Sequence, residues 1–255
     1  MSEPLLQVTD LAKHFQSVVA TDDLSLSVAD GDLHAVIGPN GAGKTTLIAQ
    51  LSGQLMPDRG GIRFAGHDIT RLPMYRRSRL GLARSFQITS LCLDLSVLDN
   101  VALAVQAHAG HSFHFWRDAR REPKLRKPAQ AALERVGLGE RAEWPTLVLS
   151  HGEHRLIELA MALASRPRML LLDEPMAGLG PDESARMVEL LRVLKREFTI
   201  LLVEHDMEAV FALADRITVL FCGRVIASGP PADIRADAAV RHAYLGEDAE
   251  GAGCG

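Results

Sequence analysis

Two periodicities take turns along this chain. Leu33–Ile37, Met169–Leu172 and Thr199–Val203 are short, almost wholly apolar runs, which predict buried strands. Residues Thr45–Leu51 open a helix, and Leu156, Ile157, Leu159, Ala160, Leu163 and Ala164 form an apolar stripe at helical spacing. From Leu5 to Val28 the pattern instead alternates apolar and polar, with turn signals near Ser17 and Asp22-Asp23. This predicts short antiparallel strands over Leu6–Leu11 and Leu24–Val28. Ile62–Phe64 and His67–Ile69 flank Ala65-Gly66 as a hairpin, and Leu82–Phe86 is a strand ending at Gln87.

Ser96 with Asp99 is a capping pair, and Val97, Val101 and Val105 recur at spacing four, so a helix starts there. The periodicity fails over Ala107–Pro128, resumes as a helix over Pro128–Val136, and stops at Gly137 and Gly139. Pro181, with Asp182 and Glu183 behind it, starts another helix. A hairpin over Ile217–Phe221 and Val225–Ser228, short helices over Pro230–Leu245 and a frayed tail over Glu247–Gly255 complete the pattern.

The chemistry concentrates where the pattern turns from strand to helix. Gly38-Pro39-Asn40-Gly41-Ala42-Gly43-Lys44-Thr45-Thr46 fits G-x-x-x-x-G-K-[ST], between a buried strand and a helix. Its glycines let the backbone wrap an anion with N–H groups pointing inward, and the helix N-terminus adds a positive dipole end. Lys44 is placed to reach β- and γ-phosphates, and the Thr45 hydroxyl to hold Mg²⁺.

Met169–Leu172 runs into Asp173-Glu174. A carboxylate at such a strand tip supplies the second Mg²⁺ contact, and Glu174 is placed to deprotonate an attacking water. Thr199–Val203 ends at Glu204-His205-Asp206. His205 is therefore either a γ-phosphate contact at a sheet's C-terminal edge or a structural loop histidine. Phe15 is either a purine-stacking ring or a hairpin core residue. Ser150 and Gly152 at a helix start form either a second anion site or an ordinary N-cap.

Two basic or histidine-rich stretches read more plainly. Arg76-Arg77-Ser78-Arg79 reads as a solvated helix face rather than a phosphate site. His108, His111 and His114 repeat at three but have no acidic or thiol companion, so the segment reads as an exposed insertion whose aromatics could pack on a partner.

Composition narrows the class. The 255 residues suit one large domain, or a domain with a subdomain, at ordinary globular values of 24% charged and 47% hydrophobic. A net charge of −4 gives no reason to expect nucleic acid as a partner. The start, Met1-Ser2-Glu3-Pro4, lacks a basic n-region, and the apolar runs fall well short of the ~18 residues of a membrane span. Cys92, Cys222 and Cys254 are far apart and odd in number, which suggests neither a disulfide framework nor a zinc site.

Taken in order, Phe15, the Gly38–Thr46 loop, Gln87, Leu149–Glu153, Leu170–Glu174 and His205 resemble the motif series of the ATP-binding subunit of ABC transporters. The stretches Ala177-Gly178-Leu179-Gly180-Pro181, Val203–Met207 and Ala243–Glu247 resemble the branch serving branched-chain and other hydrophobic amino-acid importers. The lipopolysaccharide-export ATPase has similar endings.

The resemblance implies an α/β fold: a P-loop NTPase (RecA-like) core with an antiparallel β subdomain and an inserted α-helical subdomain. It divides residues 1–245 into a core (1–88 and 150–245) and a helical part (89–149), with 246–255 as a tail. It implies ATP and Mg²⁺ as cofactors. Phe15 would stack on adenine. Gly38, Pro39, Asn40, Gly41, Ala42, Gly43, Lys44, Thr45 and Thr46 would cradle the triphosphate. Ser150 and Gly152 would reach the ATP of another subunit. Thr45, Gln87 and Asp173 would hold the metal, Glu174 would be the general base, and His205 would bind the γ-phosphate. Gln87 would also link to the membrane partner.

Implied partners are a second ATPase subunit (a related chain or itself), separate permease subunits and, indirectly, an external solute-binding protein. The expected place is the cytoplasmic face of the membrane, as a peripheral subunit. Other ABC importers, lipopolysaccharide export and a non-transport ABC ATPase are the alternative functions. Two departures stand out. The usual L-S-G-G-Q is here Leu149-Ser150-His151-Gly152-Glu153, and Gly180 stands where many members carry Asp.

Overall fold

A computed structural model describes residues 3–85, 91–109 and 122–245. Its centre is a six-stranded sheet in the order β10-β9-β3-β8-β7-β6. The strands are β3 (Leu33–Ile37), β6 (Leu82–Arg84), β7 (Met169–Asp173), β8 (Thr199–Val203), β9 (Arg216–Phe221) and β10 (Arg224–Gly229). Neighbours from β6 to β9 run parallel, and only β10 is antiparallel. Every residue of β3, β7 and β8 is buried, as expected of parallel strands covered on both faces.

Alternate residues of these strands enter different cores, as period two requires. Leu170, Leu172, Ile200 and Leu202 pack with α5 (His151–Ala164) and α6 (Pro181–Leu194). Met169, Leu171, Leu201 and Val203 pack with α1 (Lys44–Ser52) and with a second, antiparallel sheet. That sheet has the order β2-β1-β4-β5, formed by β1 (Leu6–Phe15), β2 (Val18–Val28), β4 (Arg59–Phe64) and β5 (His67–Asp68). Each fully buried Leu or Ile contributes about 2 kcal/mol of hydrophobic free energy.

Between β6 and β7 the described residues are mainly helical. Helices α3 (Val97–Ala109), α4 (Pro123–Arg135) and α5 share one apolar core, in which Val97, Val101, Ala129, Leu133 and Ile157 are buried. The Asp99 amide donates to Ser96 Oγ at 3.1 Å, so the predicted capping pair starts α3. The C-terminal helices α7 (Met207–Leu213), α8 (Pro231–Ala236) and α9 (Ala238–Leu245) follow β8 and β10.

The structure departs from the sequence reading at four places. The first two strands are longer than expected: β1 runs on to Phe15 and β2 begins at Val18, meeting in a tight turn with β-bulges between them. The α4 helix begins at Pro123, and Pro128 lies inside it rather than at its start.

The third departure is Arg77. It lies on α2 (Met74–Arg79) and is not solvated but fully buried. Its guanidinium donates to four backbone carbonyls: Gln50 at 2.7 Å, Leu51 at 2.8 Å, Leu72 at 2.8 Å and Thr70 at 2.9 Å. Arg77 therefore staples the end of α1, whose last carbonyls have no intrahelical donor. Finally, Cys222 in the β9–β10 turn is disulfide-bonded, where the cysteine spacing suggested no disulfide framework, and Cys92 is free. No helix among the described residues is long and apolar enough to cross a membrane.

Candidate active site

Strand order places the motifs. β3, β8 and β7 are adjacent and parallel, so the loops leaving them emerge along one edge. Those loops begin with Gly38, with Glu204-His205 and with Glu174. β6 lies beside β7 and leads toward Gln87, which lies outside the described residues. The carboxyl edge of such a sheet is where ligands bind in α/β folds.

The Gly38–Thr46 loop is held from both sides. Gly38 (φ +155°) has no room for a side chain, because a Cβ there would sit 2.2 Å from the Leu220 carbonyl oxygen. At Gly43 (φ +99°) a Cβ would be 2.3 Å from the Ala20 carbonyl oxygen. The Gly223 amide donates to the Ala42 carbonyl at 3.0 Å, so the β9–β10 turn braces the loop. Pro39 and Ala42 are buried, while Asn40 and Gly41 stand exposed at the tip.

Lys44 Nζ folds back under the loop and donates to the carbonyls of Gly38 at 2.6 Å and Pro39 at 2.9 Å. Its charge is thereby buried inside the cradle the glycines form. Thr45 is exposed and Thr46 half-buried, and both stand in the first turn of α1, where backbone N–H groups have no intrahelical acceptor. Together these groups form an anion cradle with a cation at its base.

Asp173 ends β7 fully buried. Its Oδ2 accepts from Arg84 Nη2 at 3.1 Å, and its Oδ1 is buried with no hydrogen-bond partner among the described residues. Burial pushes this carboxyl above its usual pKa, with the Arg84 guanidinium opposing the shift. A hard oxygen donor without a partner, beside the hydroxyl-bearing start of α1, fits Mg²⁺.

Glu174 follows in a left-handed backbone conformation, φ +48°, which a non-glycine residue adopts only when its surroundings enforce it. The enforcing contact is its amide, which donates to the Val203 carbonyl at 2.8 Å. The turn aims the half-buried carboxylate toward β8. His205 Nδ1 lies 4.0 Å from Glu174 Oε1 and 3.8 Å from Glu204 Oε2, and the imidazole is largely exposed.

Sequence reasoning gave no role to Arg84 or Glu204. Glu204 is fully buried; its Oε1 accepts the Met176 amide at 2.9 Å and its Oε2 the His205 amide at 3.1 Å. Burial raises its pKa, and those amide donors oppose the rise. One signal was available: a carboxylate directly after five buried strand residues needs donors nearby.

Ser150 caps α5. Its Oγ accepts from the Glu153 amide at 3.2 Å, and Glu153 Oε2 accepts the Ser150 amide at 2.8 Å. The carboxylate in place of the usual amide thus completes a capping box, and it also pairs with Arg141. Gly152 is buried against Glu183, whose Oε1 would lie 2.5 Å from any Cβ added there. Phe15 is 47% exposed, which excludes the hairpin-core reading and leaves its ring free to stack; Lys13 Nζ lies 5.7 Å from the ring centre. Of the three spaced histidines, only His108 falls among the described residues.

The family model described as ABC transporter matches residues 21–177. The chain belongs to that family. A second model, described as branched-chain amino acid ATP-binding cassette transporter, matches residues 224–250 of the cassette. The chain is 37% identical to the high-affinity branched-chain amino acid transport ATP-binding protein BraF of Pseudomonas aeruginosa, over 97% of this chain and 100% of that one. It is 36% identical to the corresponding protein LivG of Salmonella typhimurium, again over 97% of this chain and 100% of the relative. Among solved structures, the ADP conformation of MJ1267, an ATP-binding cassette of an ABC transporter, superposes with a TM-score of 0.85 at 29% identity. That match covers 96% of the cassette and 100% of MJ1267. The fold is therefore the P-loop NTPase fold of ABC cassettes, as the motif order implied.

Proposed function

We propose that this cassette binds and hydrolyses ATP with Mg²⁺ and powers uptake of branched-chain or related hydrophobic amino acids through separate permease subunits. The observation that carries the hydrolytic part is the shared sheet edge: one anion cradle, one orphaned carboxylate oxygen on Asp173, and Glu174 turned toward His205. The amino-acid part rests on relatives named for that transport and on the C-terminal match over residues 224–250.

Each residue then has a task. Backbone N–H groups from Gly41 to Thr46, with Lys44, hold the triphosphate, and the Phe15 ring stacks on the base. Thr45, Asp173 and Gln87 are the ligands expected for Mg²⁺, which when bound neutralises phosphate charge during transfer. Glu174 accepts a proton from the attacking water, and His205 contacts the γ-phosphate and registers its loss.

Ser150 stands exposed at the start of α5, with Gly152 buried behind it, and the two serve the nucleotide of a second cassette, either a related chain or a second copy. ATP then favours the closed pair because only that pair gives it both half-sites. In this reading residues 1–88 and 150–245 form the ATPase core. Residues 89–149 carry its motion to the permease on the cytoplasmic face of the membrane, and an external solute-binding protein delivers the substrate.

The test is ATPase activity of the purified chain, alone and with the permease that co-purifies from native membranes, against Lys44→Ala. Lys44→Ala is expected to weaken ATP binding at least tenfold by calorimetry. Unchanged ATP affinity in that variant would remove the cradle from the mechanism. Co-purification with a permease that moves no hydrophobic amino acid would overturn the substrate assignment alone.

A further inference from the structure

Arg84 ends β6 with its side chain only 9% exposed and ties three elements together. Its Nη2 donates to Asp173 Oδ2 at the tip of β7. Its Nη1 reaches back to the end of α1, donating to Ser52 Oγ at 3.4 Å and to the Gln54 side-chain oxygen. The Ser85 amide, one residue on, donates to the Leu171 carbonyl at 3.0 Å, so the backbone carrying Arg84 is itself fixed against β7. This guanidinium therefore approaches Asp173 from a fixed direction.

The consequence for the carboxylate is geometric. Arg84 engages one carboxylate oxygen, Oδ2, and Oδ1 is the oxygen left without a hydrogen-bond partner among the described residues. The other cation acting on Asp173 is Lys44, below the phosphate loop. Without Arg84, no hydrogen bond among the described residues would hold Asp173 Oδ2, and the orientation of the carboxylate would be lost.

We propose that Arg84 is a positioning residue for the metal site: by holding Asp173 Oδ2 it keeps Oδ1 available to Mg²⁺. This rests on the reading that Asp173 holds the metal. Arg84 touches neither nucleotide nor metal in this scheme and acts only through Asp173. Its fork geometry matters as well as its charge, because one nitrogen must serve β7 while the other serves α1.

The test titrates Mn²⁺, as a spectroscopic stand-in for Mg²⁺, into the full chain with ATP bound, and reads free Mn²⁺ by electron paramagnetic resonance. ATP affinity is measured separately in EDTA. Arg84→Ala is expected to weaken Mn²⁺ binding about tenfold while metal-free ATP affinity stays within twofold. Arg84→Lys, which keeps the buried charge but not the fork, is expected to fall between, and it serves alone should Arg84→Ala not fold.

Wild-type Mn²⁺ affinity in Arg84→Lys and in any folded Arg84→Ala would overturn the proposal. So would equal losses with and without metal, which would mark Arg84 as merely structural. Asp173→Asn separates the two readings: if it leaves Mn²⁺ binding unchanged, Asp173 is not the metal ligand; if it weakens binding while the Arg84 variants do not, only the positioning role fails.

Discussion

Glu204 Oε1 accepts the Met176 amide at 2.9 Å, which fastens the loop after β7 to the end of β8. The same carboxylate accepts the His205 amide at 3.1 Å, so one buried side chain fixes the segments that carry both Glu174 and His205. Removing it leaves the buried Met176 N–H without an acceptor, at a cost of about 2 kcal/mol. Glu204→Ala is expected to lower the unfolding free energy by that amount, read as a lower chemical denaturation midpoint at unchanged m, and to reduce ATP turnover, while Glu204→Gln, which keeps an acceptor for Met176, keeps most of the stability. A wild-type midpoint in Glu204→Ala would show that the brace carries no stability.

Glu174 is expected to matter for turnover and not for binding. Its carboxylate faces His205 across 4.0 Å, and its left-handed backbone is held by Val203, so the amide variant fits without disturbing the turn. Glu174→Gln should retain ATP affinity and lose at least ~100-fold in hydrolysis rate, the scale of a lost general base. Steady-state phosphate release alongside calorimetry of ATP binding separates the two, and wild-type turnover in the variant would remove Glu174 as the base.

The exposed ring of Phe15 leads to a ligand-dependent expectation. Stacking on a base contributes about 1–3 kcal/mol, and inorganic triphosphate has no base to stack. Phe15→Ala should weaken ATP roughly tenfold and leave triphosphate affinity unchanged. Equal losses for the two ligands would mean that the ring supports the loop and not the base.

The frame of this site was legible in the sequence because it rests on local signals. Leu33–Ile37 and Thr199–Val203 are buried strands at the expected bounds, and the loops after them carry the predicted Lys44 and His205. What the pattern missed are partnerships between distant residues. Arg77 sits in a basic run that reads as solvated, yet it is buried against carbonyls from Gln50 to Leu72, which no local pattern reveals. Arg84 meets Asp173 only because β6 and β7 are neighbours in the sheet, although 89 positions separate them in the chain. Glu153 looked like a departure from its motif until its carboxylate closed a cap on Ser150.

His34 gives an expectation for pH. It lies buried in β3, with Nε2 2.7 Å from Thr218 Oγ1 and, among the described residues, no hydrogen-bond partner for its buried Nδ1. Burial, reinforced by Arg216, lowers its pKa to about 4 from an ordinary 6.5. Above pH 6.5 the imidazole is neutral in both folded and unfolded chains, and the full stability is present. As the pH falls below 6.5 the unfolded chain takes up a proton that the folded chain refuses, so stability drains away until about pH 4. At pH 5 the loss from this one group is about 2 kcal/mol. Urea denaturation at pH 7.5 and pH 5 should therefore show a smaller difference for His34→Gln than for the wild-type chain, by about that amount. The variant isolates the histidine from the carboxylates that titrate in the same range, and an identical pH difference in both proteins would mean that His34 stays protonated, or stays neutral, in both states.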